Sequence, residues 1–483
     1  MTPGSNDTHP NMLSLSELGE PVIAIFDIGK TNKKLFLYNR HYNIVFEKAT
    51  RFAETVDEDG DPCENLEQLS LWTLDAFQSV LHNPKFTIKA INFSTYGASF
   101  VHLNKHGQPV APLYNYLKSF PADLLRQFYK IYGGEEAFSN TTASPVLGHL
   151  NSGMQLYWLK HCKPDVFKKI QHSLHLPQYM SFLFSGKYYS DITSIGCHTN
   201  LWDFSKQQYH DWVKQEGIIE KLAPIVPSTL TVNSAIRVEN YQIGVGLHDS
   251  SAALIPYMVT FKKPFVLIST GTWCISLNPF NNTALTADEL KHDCLAYLSY
   301  EGRPVKASRI FAGNEHEVEV KRIGEFFSKN DGWYRSVLYD EKIIGRLKVE
   351  VKEDDVAADV VKQSQFVQRD LASFKNEIAA YHQLIADIVD QQKFSTHLVL
   401  KGTPVKKIYV DGGFSNNVIY MKLLAKAFPE LEIFSATVAQ ATALGAALAI
   451  HNSWNDLPVA ENLVEMKPYS FRSGEEELQN NNP

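Results

Sequence analysis

The residues best suited to chemistry in this sequence fall in short runs where a carboxylate stands beside glycines, hydroxyls and lysines. The first is Asp27-Ile28-Gly29-Lys30-Thr31-Asn32, followed by Lys33 and Lys34. A turn with glycine lets backbone N–H groups approach an oxygen-rich ligand. The Thr31 hydroxyl adds a donor, and Lys30, Lys33 or Lys34 can add charge. Asp27 beside such a turn can hold Mg²⁺, a hard cation that prefers carboxylate and phosphate oxygens. The same residues also suit an ordinary β-hairpin turn. Ser269-Thr270-Gly271-Thr272 can form a second phosphate clamp, or simply turn the chain. Asp411-Gly412-Gly413 suits a nucleotide lying over exposed backbone, and equally a tight strand-to-helix turn.

His248-Asp249-Ser250 opens a stretch of small and apolar residues. An Asp in that place can cap a helix. It can also serve as a general base, accepting a hydroxyl proton as that hydroxyl attacks phosphorus. His316-Glu317-Val318-Glu319-Val320 lacks the second histidine that a zinc-protease helix needs, so it reads as a plain helix without metal. The chain has no Walker A sequence and no G-x-G-x-x-G after a strand, which argues against P-loop and dinucleotide-binding folds.

The elements that must position these residues are legible in the hydrophobic pattern. Residues 21–26 and 34–38 flank the first turn, and 265–268 and 273–277 flank the second. Apolar runs of this length around turn formers predict two buried hairpins, hinting at a duplicated architecture. Residues 88–93 read as a strand and 153–169 as helical. Residues 407–410 read as a strand leading through the third motif into a helix from about Asn417, with Ser415 or Asn416 as its N-cap. In that helix Tyr420, Leu423, Leu424 and Ala427 share one face. Strands interleaved with helices predict an α/β fold.

Composition narrows the function. Of 483 residues, 44% are apolar and 20% charged, an ordinary globular balance, and on a soft prior of roughly 150 residues per domain the length predicts two or three domains. Net charge is −7, which gives no reason to expect nucleic acid as the main partner, because phosphate backbones need a basic surface. Five scattered cysteines, never in a C-x-x-C pair, argue against a zinc knuckle or disulfide framework and for a reducing cytoplasm. Residues 138–159 and 436–450 are nearly uncharged, but the first is interrupted by Pro145 and the second is shorter than the roughly 20 residues needed to span a bilayer. The first twenty residues lack a secretory signal pattern and read as a disordered leader; 472–483 reads as a solvated tail.

The ordered set is far more specific than any member: a D-x-G-x-T hairpin, an Asp near the midpoint, an S-x-G-T hairpin and a late D-G-G. Together with Thr95-Tyr96-Gly97-Ala98-Ser99-Phe100, Gly246-Leu247-His248-Asp249-Ser250-Ser251, Ser269-Thr270-Gly271-Thr272-Trp273 and Ala441-Thr442-Ala443-Leu444-Gly445-Ala446, it resembles the FGGY family of carbohydrate kinases over about 22–450. Within the family it is most similar to the deoxyketose kinases, those of L-rhamnulose and L-fuculose above all. The resemblance implies two ribonuclease-H-like domains of the actin, sugar-kinase and Hsp70 ATPase superfamily flanking a cleft. It implies a sugar-side domain over 21–255 and an ATP-side domain over 256–455, with an insertion or lid at about 281–401 and a tail from 456, the junction lying near 251–263. It implies Asp249 as the base. Lys30, Thr31, Asn32, Lys33, Lys34, Gly271 and Thr272 would face the ATP phosphates, Gly412, Gly413 and Asn416 would lie at the adenosine, and Arg322 on the ATP side. Gly97, His248, Ser250 and Asn314 would line the sugar site. ATP and Mg²⁺ follow as the co-substrate and cofactor.

The sequence also departs from the family. Lys30 and Asn32 replace small residues in the first loop, Ser99 stands where L-rhamnulose kinases have an acid, Tyr114-Asn115-Tyr116-Leu117-Lys118 lacks the W-x-D-x-R pattern, and Gln440 replaces a glutamate. The expectation is therefore an ATP-dependent kinase of a ketose or deoxyketose, with a pentulose or polyol as alternative acceptor, monomeric or homodimeric and free of nucleic acid and membrane. Two readings of other classes are a chaperone-like or cytoskeletal ATPase and a non-catalytic sugar- or ATP-binding regulator.

Overall fold

The apolar run after Glu20 forms β1 (Glu20–Ile28) because its alternate residues serve two different cores. Val22, Ala24, Phe26 and Ile28 pack in one, Ile23 and Ile25 in the other. A strand buried on both faces carries no polar alternation, which is why it reads as a continuous apolar stretch. The computed structural model describes residues 19–234, 240–347 and 364–470. All but the last two residues of the expected leader, and the segment 472–483, lie outside them.

Two seven-stranded sheets organise the chain. In the first, β1 pairs antiparallel with β2 (Lys33–Asn39), which pairs antiparallel with β3 (Ile44–Thr50). On its other edge β1 runs parallel to β4 (Phe86–Thr95). Beyond β4 come β5 (Thr231–Asn233), at the sheet edge, and β6 (Gln242–Gly244), and a short β7 (Leu247–His248) rejoins the end of β4. The second sheet repeats this plan. Its β8 (Phe265–Thr270) pairs antiparallel with β9 (Cys274–Asn278), with β10 (Cys294–Leu298) and β11 (Pro304–Ile310) beyond. On the other side β8 runs parallel to β12 (Lys407–Gly412), then β13 (Glu432–Thr437) and an antiparallel edge strand β14 (Glu465–Tyr469). Each sheet is thus built on a hairpin whose first strand is parallel to the strand on its far side, the ribonuclease-H-like arrangement, and the duplication hinted at by the two hairpins is real.

Helices cover both sheets. α1 (Leu66–Leu81) and α2 (Leu176–Ser185) bury Leu69, Phe77 and Met180 against the outer face of the first sheet. Between the sheets lie α3 (Asp249–Thr260) and a later helix over 441–449, whose Ala252, Ile255, Ala443 and Ala446 join Ile25, Phe36 and Leu267 in one shared core. α4 (Ala312–Phe326), α5 (Glu377–Leu400) and α6 (Val418–Ala427) pack on the outer face of the second sheet, and the 441–449 helix is α7 (Ala441–Ala449).

Three expectations need correction. The stretch 281–401 is no appended lid: β10 and β11 are strands of the second sheet, and α5 buries Leu384, Ile385 and Ile388 in its core. Its surface charge had concealed this. The tail expected from 456 contains β14, which closes the sheet edge. Finally, Asn417 caps α6, accepting from the Ile419 and Tyr420 amides, one residue beyond the caps expected from sequence.

The topology brings the carboxyl ends of β1, β4 and β7 to one edge, with Asp27 beside Ser94 and His248 beside Thr95 in register. It does the same for β8 and β12, where Thr270 faces Gly412. Parallel α/β sheets bind ligands at such edges.

Candidate active site

Asp249 is the first residue of α3, and His248 occupies the N-cap without a side-chain bond to the helix. The capping reading of Asp249 therefore falls away. Its Oδ1 accepts the Ser250 amide at 2.6 Å and the Ser250 hydroxyl at 3.3 Å, and lies 3.4 Å from His248 Nε2. The side chain is 31% exposed, enough for a small molecule to reach it. Withdrawal from bulk water pushes its carboxyl up to about 6, with the Ser250 bonds opposing. A carboxylate ionised at neutral pH yet more basic than usual is what a general base requires.

Asp27 is the penultimate residue of β1, opposite Lys34. Its Oδ2 accepts the Thr442 hydroxyl at 2.7 Å, so α7 holds it from the other sheet's side. Burial pushes its carboxyl up to about 6; the Thr442 bond opposes this, the negative charge of Asp249 adds to it, and Lys34 lowers it. A carboxylate whose proton affinity is raised by a second one nearby is eased by a cation beside it, and a single carboxylate with phosphate and water is a usual Mg²⁺ ligand set. The donor set at Asp27 fits Mg²⁺.

The loop between β1 and β2 divides its residues. Gly29 N donates to Asn32 O at 2.9 Å, which closes the turn, and Thr31 and Asn32 are exposed at its tip. Lys30 pairs with Glu54 at 2.9 Å and lies over the rings of Tyr96 and Tyr116. Lys34 pairs with Glu47 at 3.3 Å. Lys33 does not face a phosphate site. It is 1% exposed, its Nζ donates to Glu64 at 2.9 Å and to the Lys30 carbonyl at 2.9 Å, and it belongs to the interior of the first sheet.

Across the cleft the second clamp and the D-G-G turn are tied together. Thr270 Oγ1 donates to the Asp411 carbonyl at 2.6 Å and accepts the Phe414 amide at 3.0 Å. Gly412 has φ +89°, and a Cβ there would lie 1.9 Å from the Thr270 carbonyl, so only glycine fits. Tyr257 on α3 donates to Asp411 Oδ2 at 2.6 Å, fixing that carboxylate as a brace. Gly271, Gly413 and Asn416 line a cavity of about 680 Å³, walled by His316, Tyr334, Tyr381 and Phe414. Asn417 Nδ2 donates to Tyr381 OH at 2.9 Å, and His316 Nε2 lies 3.2 Å from the same hydroxyl. Aromatic walls with a few fixed polar groups suit a planar heterocycle such as a nucleobase. Thr272 is exposed on the neighbouring turn, and its carbonyl accepts the Asn314 amide at 3.1 Å, which places Asn314 on this side of the cleft.

Arg322 does not line this cavity. Its guanidinium pairs with Glu319 at 2.5 Å and donates to the carbonyls of Phe366 and Arg369, pinning the 364–370 segment to α4. The segment 114–118 likewise builds structure: Lys118 joins Asp57, Asp59 and Asp61 at 2.6–2.9 Å. Gly97 sits against the imidazole of His248, where a Cβ would lie 2.4 Å from Nε2. The structure thus brings Asp27, Lys30, Gly97, His248, Asp249 and Ser250 together, and Gly271, Thr272, Gly412, Gly413 and Asn416 opposite. The sequence reading missed His316, Tyr334 and Tyr381, which come from separate elements with no local spacing to betray them, and did not assign to the site Phe414 and Asn417, which directly follow the D-G-G turn it had singled out.

Comparison with known proteins agrees with this geometry. Residues 22–248 match the N-terminal domain of the FGGY family of carbohydrate kinases and residues 262–331 match the family's C-terminal domain, together more than half of the chain. A rhamnulokinase from Oceanobacillus iheyensis is 22% identical over 265 residues, covering 52% of this chain and 54% of that protein. The chain spans about half the length of the curated relatives it matches. Among solved structures, a carbohydrate kinase from Novosphingobium aromaticivorans superposes with a TM-score of 0.72 at 21% identity, covering 92% of this chain and 96% of that one. A xylulose kinase from Rhodospirillum rubrum does so with a TM-score of 0.76 at 14% identity, covering 95% of each. Two matched domains, a repeated ribonuclease-H-like sheet and a cleft lined by the family's motifs lead to one conclusion: the chain belongs to the FGGY family of carbohydrate kinases.

Proposed function

We propose that this protein transfers the γ-phosphoryl group of ATP to a hydroxyl of a small ketose or deoxyketose. The observation that carries the reading is Asp249, reachable from the cleft and raised in basicity, facing a second carboxylate, Asp27, with an aromatic-walled cavity on the opposite domain. Asp249 takes the proton as the sugar oxygen attacks phosphorus and ADP leaves. His248, seated against Gly97, and Ser250 line the acceptor pocket. The turns at 29–32 and 270–272 offer backbone donors to the phosphates, and the cavity beside Gly413 takes the adenosine. Mg²⁺, held through Asp27, would neutralise charge between phosphate oxygens.

The rhamnulokinase relatives favour a deoxyketose acceptor such as L-rhamnulose or L-fuculose. The structural relatives include xylulose kinases and a glycerol kinase, which keeps a pentulose or polyol as the second reading. ADP release from the purified chain over a panel of ketoses, aldoses and polyols tests both. Release that depends on one ketose supports the proposal, and binding of ATP and sugar with no turnover on any member would favour a regulator.

The role of Asp27 has its own test. Asp27→Asn keeps the acceptor for Thr442 but removes the charge. The Mg²⁺ concentration for half-maximal rate is expected to rise about tenfold, roughly the 1.4 kcal/mol that one modest ionic contact supplies. Calorimetry of ATP binding should show weakened affinity with Mg²⁺ and unchanged affinity in a chelator. An unaltered magnesium titration would remove Asp27 from the metal's ligands.

A further inference from the structure

Beside Asp249 the structure gathers three groups that neither the sequence motifs nor the phosphotransfer reading uses together. The Sγ of Cys197 and one ring nitrogen each of His198 and His248 all lie within 4.8 Å of one another. We propose that Cys197, His198 and His248 form a binding site for a borderline-soft divalent cation, Zn²⁺ in the first instance, opening onto the cleft next to Asp249.

Local structure aims these side chains. Cys197 and His198 follow a short helical turn, Ile192–Ile195, whose N-cap Asp191 accepts the Thr193 amide at 2.9 Å. Thr193 Oγ1 in turn accepts the His248 amide at 3.0 Å, which ties this turn to the end of β7. His198 is held at φ +40°, in the left-handed region that non-glycine residues rarely enter, with its carbonyl taking the Asn151 amide group at 2.7 Å. Such backbone strain persists only where the surroundings enforce it. His198 Nδ1 lies 3.1 Å from the Leu150 carbonyl. A carbonyl only accepts, so Nδ1 carries the proton and Nε2 keeps its lone pair, the usual arrangement of a metal-binding imidazole.

His248 is 5% exposed, and its Nδ1 has no hydrogen-bond partner. Its Nε2 is 3.9 Å from Cys197 Sγ. With Zn–S near 2.3 Å and Zn–N near 2.0–2.1 Å, a tetrahedral S···N edge is about 3.6 Å, so a cation requires the pair to close by only a few tenths of an ångström. Burial holds both imidazoles neutral, His198 lowered to about 3 and His248 to about 4. Burial also keeps the Cys197 thiol protonated. Coordination therefore releases one proton to solvent as the S–H bond is exchanged for a metal–thiolate bond, and no redox partner is needed. Three protein ligands leave a fourth position open, the pattern of sites that exchange an outer ligand, and Asp249 Oδ1 lies 3.4 Å from His248 Nε2. Since His248 and Asp249 also belong to the acceptor pocket proposed above, an occupied site would exclude sugar and leave nucleotide binding intact.

The test does not depend on turnover. Cobalt(II) titrated into the metal-free 483-residue chain should bind with one equivalent and give a thiolate charge-transfer band with the intense visible transitions of a four-coordinate centre, displaced by Zn²⁺. Cys197→Ser should abolish the charge-transfer band, and His198→Gln should weaken binding at least tenfold, the lower end of what loss of a mere outer-shell partner causes. Cys162→Ser, which removes the exposed thiol, should leave the spectrum unchanged. Circular dichroism identifies any variant that fails to fold, and a zinc-induced rise in the parent's melting temperature supplies a second readout. A parent that binds no cobalt, a spectrum without the charge-transfer band, or a band that survives in folded Cys197→Ser would overturn the proposal.

Discussion

Asp249→Asn will fold and bind ATP like the parent chain, and will lose at least about 10²-fold in turnover. The sugar hydroxyl is too weak an acid to attack unaided near neutral pH, and a positioned base contributes roughly 10²–10⁴-fold. Asparagine preserves the shape and the acceptor for the Ser250 amide, but cannot take the proton. The pH dependence follows from the same carboxyl. Its proton affinity is raised to about 6, so parental turnover should fall as pH drops through 6 and level off above it.

Stability should move in the opposite sense. A carboxyl that holds its proton more tightly in the folded state than in the unfolded one favours folding below pH 4, and that contribution is lost as pH rises through 6. At pH 7–8 the Asn variant, free of that ionised group, should therefore melt no lower than the parent. Single-turnover phosphoryl transfer on an accepted ketose, calorimetry with ATP and a melting curve at pH 7.5 decide the matter together. Parental turnover in the Asn variant would remove Asp249 from catalysis. A large fall in melting temperature would show that its role is to hold the fold.

The sequence made the motif-bearing hairpins legible because each pairs a long apolar strand with a glycine turn, and burial on both faces writes itself into composition. The place of Lys33 was legible too, through strand geometry rather than motif. Adjacent residues on a strand point to opposite faces, so Lys33 and Lys34 cannot both reach one phosphate, and the inward one needs a buried partner, which Glu64 supplies. The spacing of Glu319 and Arg322, three residues apart on a helix, likewise permits the ion pair that the structure shows with a buried Glu319, whereas the resemblance had put Arg322 on the ATP side. The aromatic cavity is different in kind. His316 comes from α4, Tyr334 from a short turn, Tyr381 from α5 and Phe414 from the turn after β12, so no periodicity links them and only the folded chain brings them together. Cys197 and His198 were likewise silent, because their partner His248 lies about fifty residues away, across the end of β7.

The position of Gly445 carries the other large effect, and its sign separates two physical accounts. Helix propensity alone says that replacing a mid-helix glycine by alanine stabilises by about 1 kcal/mol. The structure says the reverse. α7 crosses α3 so closely that a Cβ on Gly445 would lie 1.8 Å from the Ala252 carbonyl oxygen and 2.6 Å from its carbon. That carbonyl is the one Pro256, four residues on in α3, leaves without its usual helical N–H donor. The glycine lets the backbone of α7 close over it, where a Cα–H can face the oxygen. The obstacle is main chain on both sides, so no rotamer change relieves it, and separating the helices would open the core shared by Ile255, Ala446 and Leu267. Overpacking a tight interior costs about 1–3 kcal/mol and more where nothing can yield, so Gly445→Ala should destabilise by at least about 3 kcal/mol and Gly445→Val by more. The same displacement would pull Thr442 from Asp27, so any folded Gly445→Ala protein should also need more Mg²⁺ for turnover. Thermal and denaturant unfolding of the alanine variant distinguish the two accounts: a lowered midpoint follows from helix contact, while a raised one would mean that propensity outweighs it and the two helices can part without cost.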